Sequence, residues 1–437
     1  MAEDLAVGAG NAGRPSTRRR FLQQGAAAAA IGGVLAPRFV HGDGNGGDVI
    51  KIGLIGCGGR GSGAVVDAMH ADPRVELVAI GDAFADRAAE CLTLLKRTPE
   101  IADRIKVSPD RVFSDFDNFK QVIDSGVDVV ILATPPHFRP EHLAYAVEKG
   151  KHCFVEKPIA VDVPGVMSVQ ETCAKAQAKG LSIVSGLMWR FDPGVQETVQ
   201  RIKDGAIGDI VAIQSCYNSG TLWHRGDKPD WSRMEYQIRN WLYYTWLSGD
   251  HITEQAIHSL DKVNWLLDGQ APTSAFGLGG RQQRTDKKFG HIFDHHTVFF
   301  DFPSGVKCYF TCRQQENTDT FTDEVVLGTK GRAMLLAKKI DGETAWEYKG
   351  PEKGFVGYVR EHEALLQGIR RGEPVNNGDY MCRSTLLTIM GRMCTYTGKQ
   401  YQWDEVLAST ERLGPEKYEW GDVPEPLVAI PGKTKIA

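Results

Sequence analysis

The chain has 437 residues and a formal net charge of −4, with 51 Lys+Arg against 55 Asp+Glu. This length is enough for two domains, each with its own core. The near balance of charge argues against nucleic acid or an acidic membrane surface as a partner, and no run is long and apolar enough to span a bilayer as a mature helix.

The first 47 residues are of a different kind. Thr17-Arg18-Arg19-Arg20-Phe21-Leu22-Gln23 is similar to a twin-arginine export motif, and an Ala/Gly run over 25–36 comes after it. Residues 42–47 are glycine-rich and have the composition of a flexible linker. Residues 1–47 are therefore expected to be a signal peptide and linker. The folded protein is expected to leave by the twin-arginine route for the periplasm.

The segment 51–82 organises the rest of the chain. A short apolar run precedes Gly56, Gly58 and Gly61 in G-x-G-x-x-G spacing, then comes a helical pattern, then a second apolar run ending at Asp82. Each glycine has a task. Gly56 allows a sharp turn, Gly58 lets a pyrophosphate approach the backbone, and Gly61 brings the helix close to the sheet. The helix start offers free N–H groups and a positive dipole end. A carboxylate at Asp82 suits a ribose 2′-OH and repels a 2′-phosphate, so NAD is expected in preference to NADP.

Strand and helix patterns then alternate. Helices are expected over 119–125, 142–149 and 165–179, and strands over 127–133, 152–155 and 181–187. The near-continuous apolar strands and the β-α rhythm predict a parallel, doubly wound sheet over 48–189. After Trp189 the pattern changes. Strands over 210–217, 296–302, 306–313 and 324–328 predict an α+β domain over 190–437 on one large, mostly antiparallel open sheet, with helices over 255–267 and 358–371. The nine cysteines include no C-x-x-C pair, so they are expected to be small buried hydrophobes, and no metal site is expected.

Several motifs now converge. Gly150-Lys151-His152-Cys153-Phe154-Val155-Glu156-Lys157-Pro158, Thr134-Pro135 with Glu141-His142, Arg190-Phe191 with Pro193, and His258 with Asp261 resemble the glucose–fructose oxidoreductase / inositol dehydrogenase / MocA family. Glu254 stands where that family has Asp, Ala256 where it has Gly, and Arg139 where many members have His. The resemblance implies a nicotinamide-dependent oxidoreductase acting on a carbinol of a sugar, glycoside or polyol, with C3 of a pyranoside as the specific expectation. It also implies a tightly held NAD and a homo-oligomer, dimer or tetramer. Two competing readings are an NAD-dependent glycoside hydrolase that oxidises its substrate transiently, and a non-catalytic sugar-binding protein of the same fold.

The residues expected at the site come from the motifs and the resemblance together. Gly56, Gly58, Gly59, Arg60, Gly61, Asp82, Thr134, Pro135, His137, Glu156 and Lys157 are expected to hold the cofactor. Lys157 is expected to polarise the reacting hydroxyl, and the resemblance makes His258 the acid/base, since an imidazole titrates near operating pH. Glu254 is expected one turn away on the same helix face, to orient the ring or join the relay. Arg190, Trp223, Arg225, Asp294 and His296, with Lys157, Glu254 and His258, are expected to meet the substrate. The aromatic-rich stretch 217–246 suits a sugar-stacking rim and a subunit contact equally.

Replacing Arg18 and Arg19 together by Lys is expected to abolish export in a bacterium that has the twin-arginine pathway, measured by fractionating the periplasm. Normal export of that variant would remove the assignment of residues 1–47.

Overall fold

The computed structural model describes residues 48–352 and 354–437. The expected signal peptide and linker lie outside the described residues.

The first sheet has six parallel strands in the order β3-β2-β1-β4-β5-β6. Their ranges are β1 Ile50–Ile55, β2 Val75–Asp82, β3 Val112–Ser114, β4 Val129–Leu132, β5 His152–Val155 and β6 Ile183–Ser185. Helices Gly59–Ala71, Ala85–Lys96, Arg139–Glu148 and Val163–Ala178 connect or cover them. β4 is buried along its whole length, as a strand packed on both faces must be. The register aligns Ile55 with Gly81 and with Leu132, and Leu132 with Val155. Gly56, Asp82, Ala133 and Glu156 therefore leave the sheet together at its carboxyl edge. Strand order reverses between β1 and β4, which is where ligands bind in open α/β sheets.

The second sheet has nine strands in the order β14-β13-β12-β11-β7-β10-β9-β8-β15. They are β7 Ile210–Ser219, β8 Ser274–Gly280, β9 His295–Asp301, β10 Lys307–Gln314, β11 Phe321–Gly328, β12 Gly331–Met334, β13 Lys339–Gly342, β14 Trp346–Glu347 and β15 Tyr401–Gln402. All pairs are antiparallel except β7 with β10. Alternation sets Cys308, Phe310 and Cys312 inward while Tyr309 stays exposed. Helices Ile257–Leu266 and Gly378–Thr397 cover the inner face. On the outer face Phe276, Leu278, Tyr309, Phe321 and Leu327 are exposed, and the Phe276 and Phe299 rings stack at 4.9 Å.

Two features depart from the sequence expectation. The chain returns to the first sheet late: Ile183 N–H donates to Val375 O at 2.7 Å, and Leu365, Leu366 and Ile369 of helix Gly357–Arg371 join the core of β1 and β2. A boundary at residue 190 therefore leaves out a segment that completes the first domain. The second feature is the 20-residue helix Gly378–Thr397, of which 17 residues are buried. It packs on β8 and β9, on helix Ile257–Leu266 and on helix Val163–Ala178, and so joins both halves. A helix enclosed on all sides shows no polar stripe in its sequence.

All nine cysteines are buried and free. Many histidines are buried as well. Burial pulls His137, His152, His251 and His291 down to about 4 and His142 and His362 to about 3. These folded values lie below the unfolded value of about 6.5, so between the two the unfolded chain binds more protons. Stability therefore rises with pH through that window and is lost as pH falls below about 6.5, by about 1.4 kcal/mol per pH unit for each such group. The thermal midpoint is expected to hold steady from about pH 7.5 to pH 6.5 and to fall steeply by about pH 5. A midpoint unchanged down to about pH 5 would contradict the buried-histidine account.

Candidate active site

The glycine turn is built as its spacing requires. Gly56 sits at φ +97°, and a Cβ there would lie 2.6 Å from the Thr134 backbone nitrogen. A Cβ on Gly61 would lie 2.0 Å from Gly56 O, so this contact closes the helix onto the strand. At Gly58 and Gly59 a Cβ would meet nothing within 4 Å. Gly58 is the N-cap of helix Gly59–Ala71, and no side chain caps that helix start. The arrangement leaves uncapped N–H groups facing open space, which is what a pyrophosphate needs. Asp82 fixes the turn from β2: its Oδ2 accepts from Cys57 N–H at 2.7 Å and its Oδ1 from Phe84 N–H at 3.0 Å. Burial pushes this carboxyl upward against those two donors.

Arg60 turns inward. Its guanidinium donates to Glu156, pairs with Asp67 at 2.9 Å and with Glu361 at 3.5 Å, and lies 4.5 Å from the centre of the Tyr358 ring. Arg60 can therefore offer its backbone to a phosphate, while its side chain ties the glycine turn to helix Gly357–Arg371. Burial and the neighbouring Glu156 push the Glu361 carboxyl well upward. Glu361 carries no cue in the sequence beyond its place on an amphipathic helix. Farther along the edge, Thr134 Oγ1 lies 3.5 Å from His142 Nδ1, and His137 Nε2 bonds the Tyr418 hydroxyl at 2.7 Å.

The two halves meet at Lys157, whose bond to Pro158 is cis. Its Nζ donates to Glu254 O at 2.6 Å and to Glu254 Oε1 at 3.0 Å. Adjacent Glu156 is occupied by Arg60, so the lysine's partner comes from the other half of the chain. Glu254 ends the short helix His251–Glu254, and His258 belongs to the next helix, Ile257–Leu266. The helix expected over 255–267 is found at Ile257–Leu266, but the turn at 255–256 leaves Glu254 on a separate helix, so the expected shared helix face of Glu254 and His258 is not formed. Ala256 N–H reaches back five residues to His251 O at 3.0 Å, which widens the turn. No hydrogen bond joins Glu254 to His258 among the described residues, and the carboxylate faces Lys157. His258 is 6% exposed, and its Nδ1 has no hydrogen-bond partner among the described residues. Its ring stacks 6.5 Å from Tyr217, a neighbour that only the fold reveals. Burial, then the charges of Lys157, Lys262 and Arg60, hold His258 well below the ordinary imidazole range. It is a neutral base beside a cation.

Three expected substrate contacts are committed elsewhere. Arg190 grips Asp261 through Nε at 2.9 and 3.0 Å and lies 4.0 Å from the centre of the Tyr380 ring. Asp294 is fully buried. Its Oδ2 accepts the N–H groups of Gln282, Gln283 and Arg284, and its Oδ1 bonds His295. Burial opposes its charge, but these donors hold it well below the carboxylate range. His296 bonds Thr395 Oγ1 at 2.9 Å and lies 3.4 Å from Asp250. All three have partners inside the protein, as buried charge and buried imidazole require, and no hydrogen bond joins them to Lys157, Glu254 or His258 among the described residues. Trp223 packs on Trp241, and Arg225 lies over Trp223. No hydrogen bond, ion pair or ring contact joins either of them to Lys157, Glu254 or His258 among the described residues.

Asp250, His251 and His296 bring three potential metal-ligand atoms within 4.8 Å of one another. Most of their atoms are already in use, and His296 Nε2 alone of the cluster's ring nitrogens has no hydrogen-bond partner among the described residues. Asp250 Oδ1 bonds His251, and Oδ2 accepts from Phe293 N–H at 2.9 Å and from the Tyr396 hydroxyl at 2.5 Å. Asp250 caps the helix His251–Glu254 at φ +69°. The cluster anchors the helix that presents Glu254 to Lys157.

Comparison with known proteins agrees with this architecture. The family described as "Oxidoreductase family, NAD-binding Rossmann fold" matches residues 50–183, and the GFO/IDH/MocA C-terminal domain matches residues 195–334. A 2,7-anhydro-N-acetylneuraminate hydratase of Escherichia coli is 32% identical over 41% of this chain, and the match spans 44% of that protein. A scyllo-inositol 2-dehydrogenase (NAD(+)) of Bacillus subtilis is 24% identical over 75% of this chain and 87% of its own length. The structure of an aldose-aldose oxidoreductase from Caulobacter crescentus superposes with a TM-score of 0.63 at 19% identity, covering 81% of this chain and 99% of that one.

The Lys157–Glu254 contact gives a graded expectation. Lys157→Ala removes the cation at the seam and is expected to lower kcat by about 10²-fold or more. Glu254→Gln keeps the backbone carbonyl that also receives the ammonium, and is expected to cost about 10-fold or less. Steady-state kinetics on the folded variants measures both, and equal losses would show that the carboxylate does more than hold Lys157.

Proposed function

The chain belongs to the Gfo/Idh/MocA family of NAD-binding Rossmann-fold oxidoreductases, and from that premise we propose that it transfers hydride between NAD and a carbinol carbon of a sugar, glycoside or polyol. The observation that carries the reading is the seam itself: Lys157 from the carboxyl edge of the first sheet bonds Glu254, which ends the short helix just before the one that carries the buried His258.

Each residue has a distinct task. His258 accepts the hydroxyl proton; burial and the neighbouring cations keep its ring neutral but also pull it below the near-operating-pH range expected from the sequence, so the negative charge developing on the substrate must offset them as the proton moves. The Lys157 ammonium stabilises the oxygen as it gains negative charge. Glu254 holds that ammonium in place. The uncapped glycine turn and Asp82 fit the pyrophosphate and ribose of a dinucleotide. When bound, that dinucleotide supplies the hydride acceptor.

Finer assignments belong to the same reading. The carbon oxidised is C3 of a pyranoside. NAD is used rather than NADP, because Asp82 leaves no room for a second phosphate charge. The cofactor travels with the folded protein through export and is recycled in place. The exposed aromatic face of the second sheet joins copies of the chain into a dimer or tetramer. A second reading is favoured by the relative named a hydratase: oxidation that is transient, with no net reduction of the cofactor.

The test is to purify the mature protein under mild conditions, identify any bound nucleotide, and screen pyranosides and inositols by absorbance of reduced nicotinamide and by product analysis. A keto product formed with stoichiometric NADH supports oxidation. Product formed with no NADH selects the transient reading, and no turnover together with no bound nucleotide contradicts both. Tighter binding of NADP(H) than of NAD(H) in direct titration would reject the role given to Asp82.

A further inference from the structure

The loops after β2 and β3 border an open pocket of about 480 Å³. Its inner wall is made by residues 83–86 and 114–115, and its outer wall by Glu235 and Arg239 of helix Arg233–Arg239 and by Trp420 of the C-terminal tail. In this class of fold the adenine of a bound dinucleotide lies beyond the acidic residue that ends β2, which is where this pocket opens; we propose that the C-terminal tail, through Trp420, forms the wall on which that base stacks. The proposal rests on the dinucleotide reading of the glycine turn and Asp82.

Position is the first argument. The pocket begins one residue past Asp82, where an adenosine ribose is held in this class of fold. The pyrophosphate belongs on the β1 side of Asp82, at the glycine turn. The base on that ribose therefore belongs on the other side, toward β3, and the pocket lies there.

Chemistry is the second. Trp420 lies 4.4 Å from the Phe116 ring and 5.4 Å from the Phe84 ring, and the Arg239 guanidinium lies 3.9 Å from the centre of Phe84. These flat surfaces suit a planar heteroaromatic ring. The charged lining is Asp86, Asp115 and Glu235 against Arg239 alone, and Arg239 is already paired with Asp86 at 3.1 Å and Glu235 at 2.7 Å. Such a lining repels phosphate and carboxylate ligands. It accepts a neutral base that carries an amino donor, as adenine does.

The tail is held in place. Trp420 Nε1 donates to Asp115 Oδ1 at 3.1 Å, Met234 N–H donates to Gly421 O at 3.0 Å, and Arg233 pairs with Glu425 at 2.8 Å. Tyr418 meets His137 in the loop after β4. The tail thus crosses the carboxyl edge of the first sheet outside the expected adenosine site, and sets how long that half of the cofactor stays.

The experiment loads the full chain with radiolabelled NAD, chases with unlabelled NAD, and monitors release. Trp420→Leu keeps apolar bulk and removes the stacking face, so release is expected to be about 10-fold faster, while Trp420→Phe stays within about 3-fold of wild type. AMP binding by Trp420→Leu is expected to weaken about 10-fold, with binding of nicotinamide mononucleotide unchanged. Equal release from wild type and Trp420→Leu overturns the proposal, as does an equal loss of both mononucleotides. A wild-type chain that retains no label and binds neither mononucleotide overturns the dinucleotide reading itself.

Discussion

The structure depends on one ammonium group crossing a seam. Lys157 extends from the carboxyl edge of the first sheet and is received by the backbone oxygen and the carboxylate of Glu254. A largely buried ammonium without acceptors is costly, so the contact constrains both sides. On one side it fixes the end of β5 next to the glycine turn, because Glu156 is held by Arg60. On the other it fixes the turn that delivers His258.

That second side needs its own support, since a four-residue helix does not hold itself in place. Asp250 supplies it by gathering His251, His296, the Phe293 N–H and the Tyr396 hydroxyl around one buried carboxylate. Tyr396 belongs to the long helix Gly378–Thr397, which also packs on the first domain through helix Val163–Ala178. A chain of buried polar contacts thus runs from the enclosed helix to Asp250 and into the helix ending at Glu254, where Lys157 closes it. Each link is satisfied inside the protein, which favours one arrangement of the seam over loosely packed alternatives.

Legibility in the sequence divides along physical lines. The glycine turn could be read because backbone geometry demands glycine at Gly56 and Gly61 whatever the context. The first sheet could be read because its strands are apolar on both faces. Lys157 and His258 could be singled out by motif, but their relation could not, since Glu254 turns to the lysine rather than the histidine. Arg190, Asp294 and His296 look like site residues because they are polar and stand near element ends. Their partners, Asp261, the 282–284 backbone and Thr395, are distant in the chain and invisible to local pattern. Helix Gly378–Thr397 has no polar stripe, and the tail around Trp420 has no regular structure, so neither offered a periodic signal.

The central claim is that a buried, neutral His258 is the base and that the site exists only at this seam. The most direct measurement is single-turnover hydride transfer in cofactor-loaded His258→Ala with a confirmed substrate, read by absorbance of the reduced nicotinamide. The account expects a rate about 10²–10⁴-fold below wild type with the nucleotide still bound. A folded, loaded His258→Ala protein that transfers hydride at the wild-type rate would contradict it.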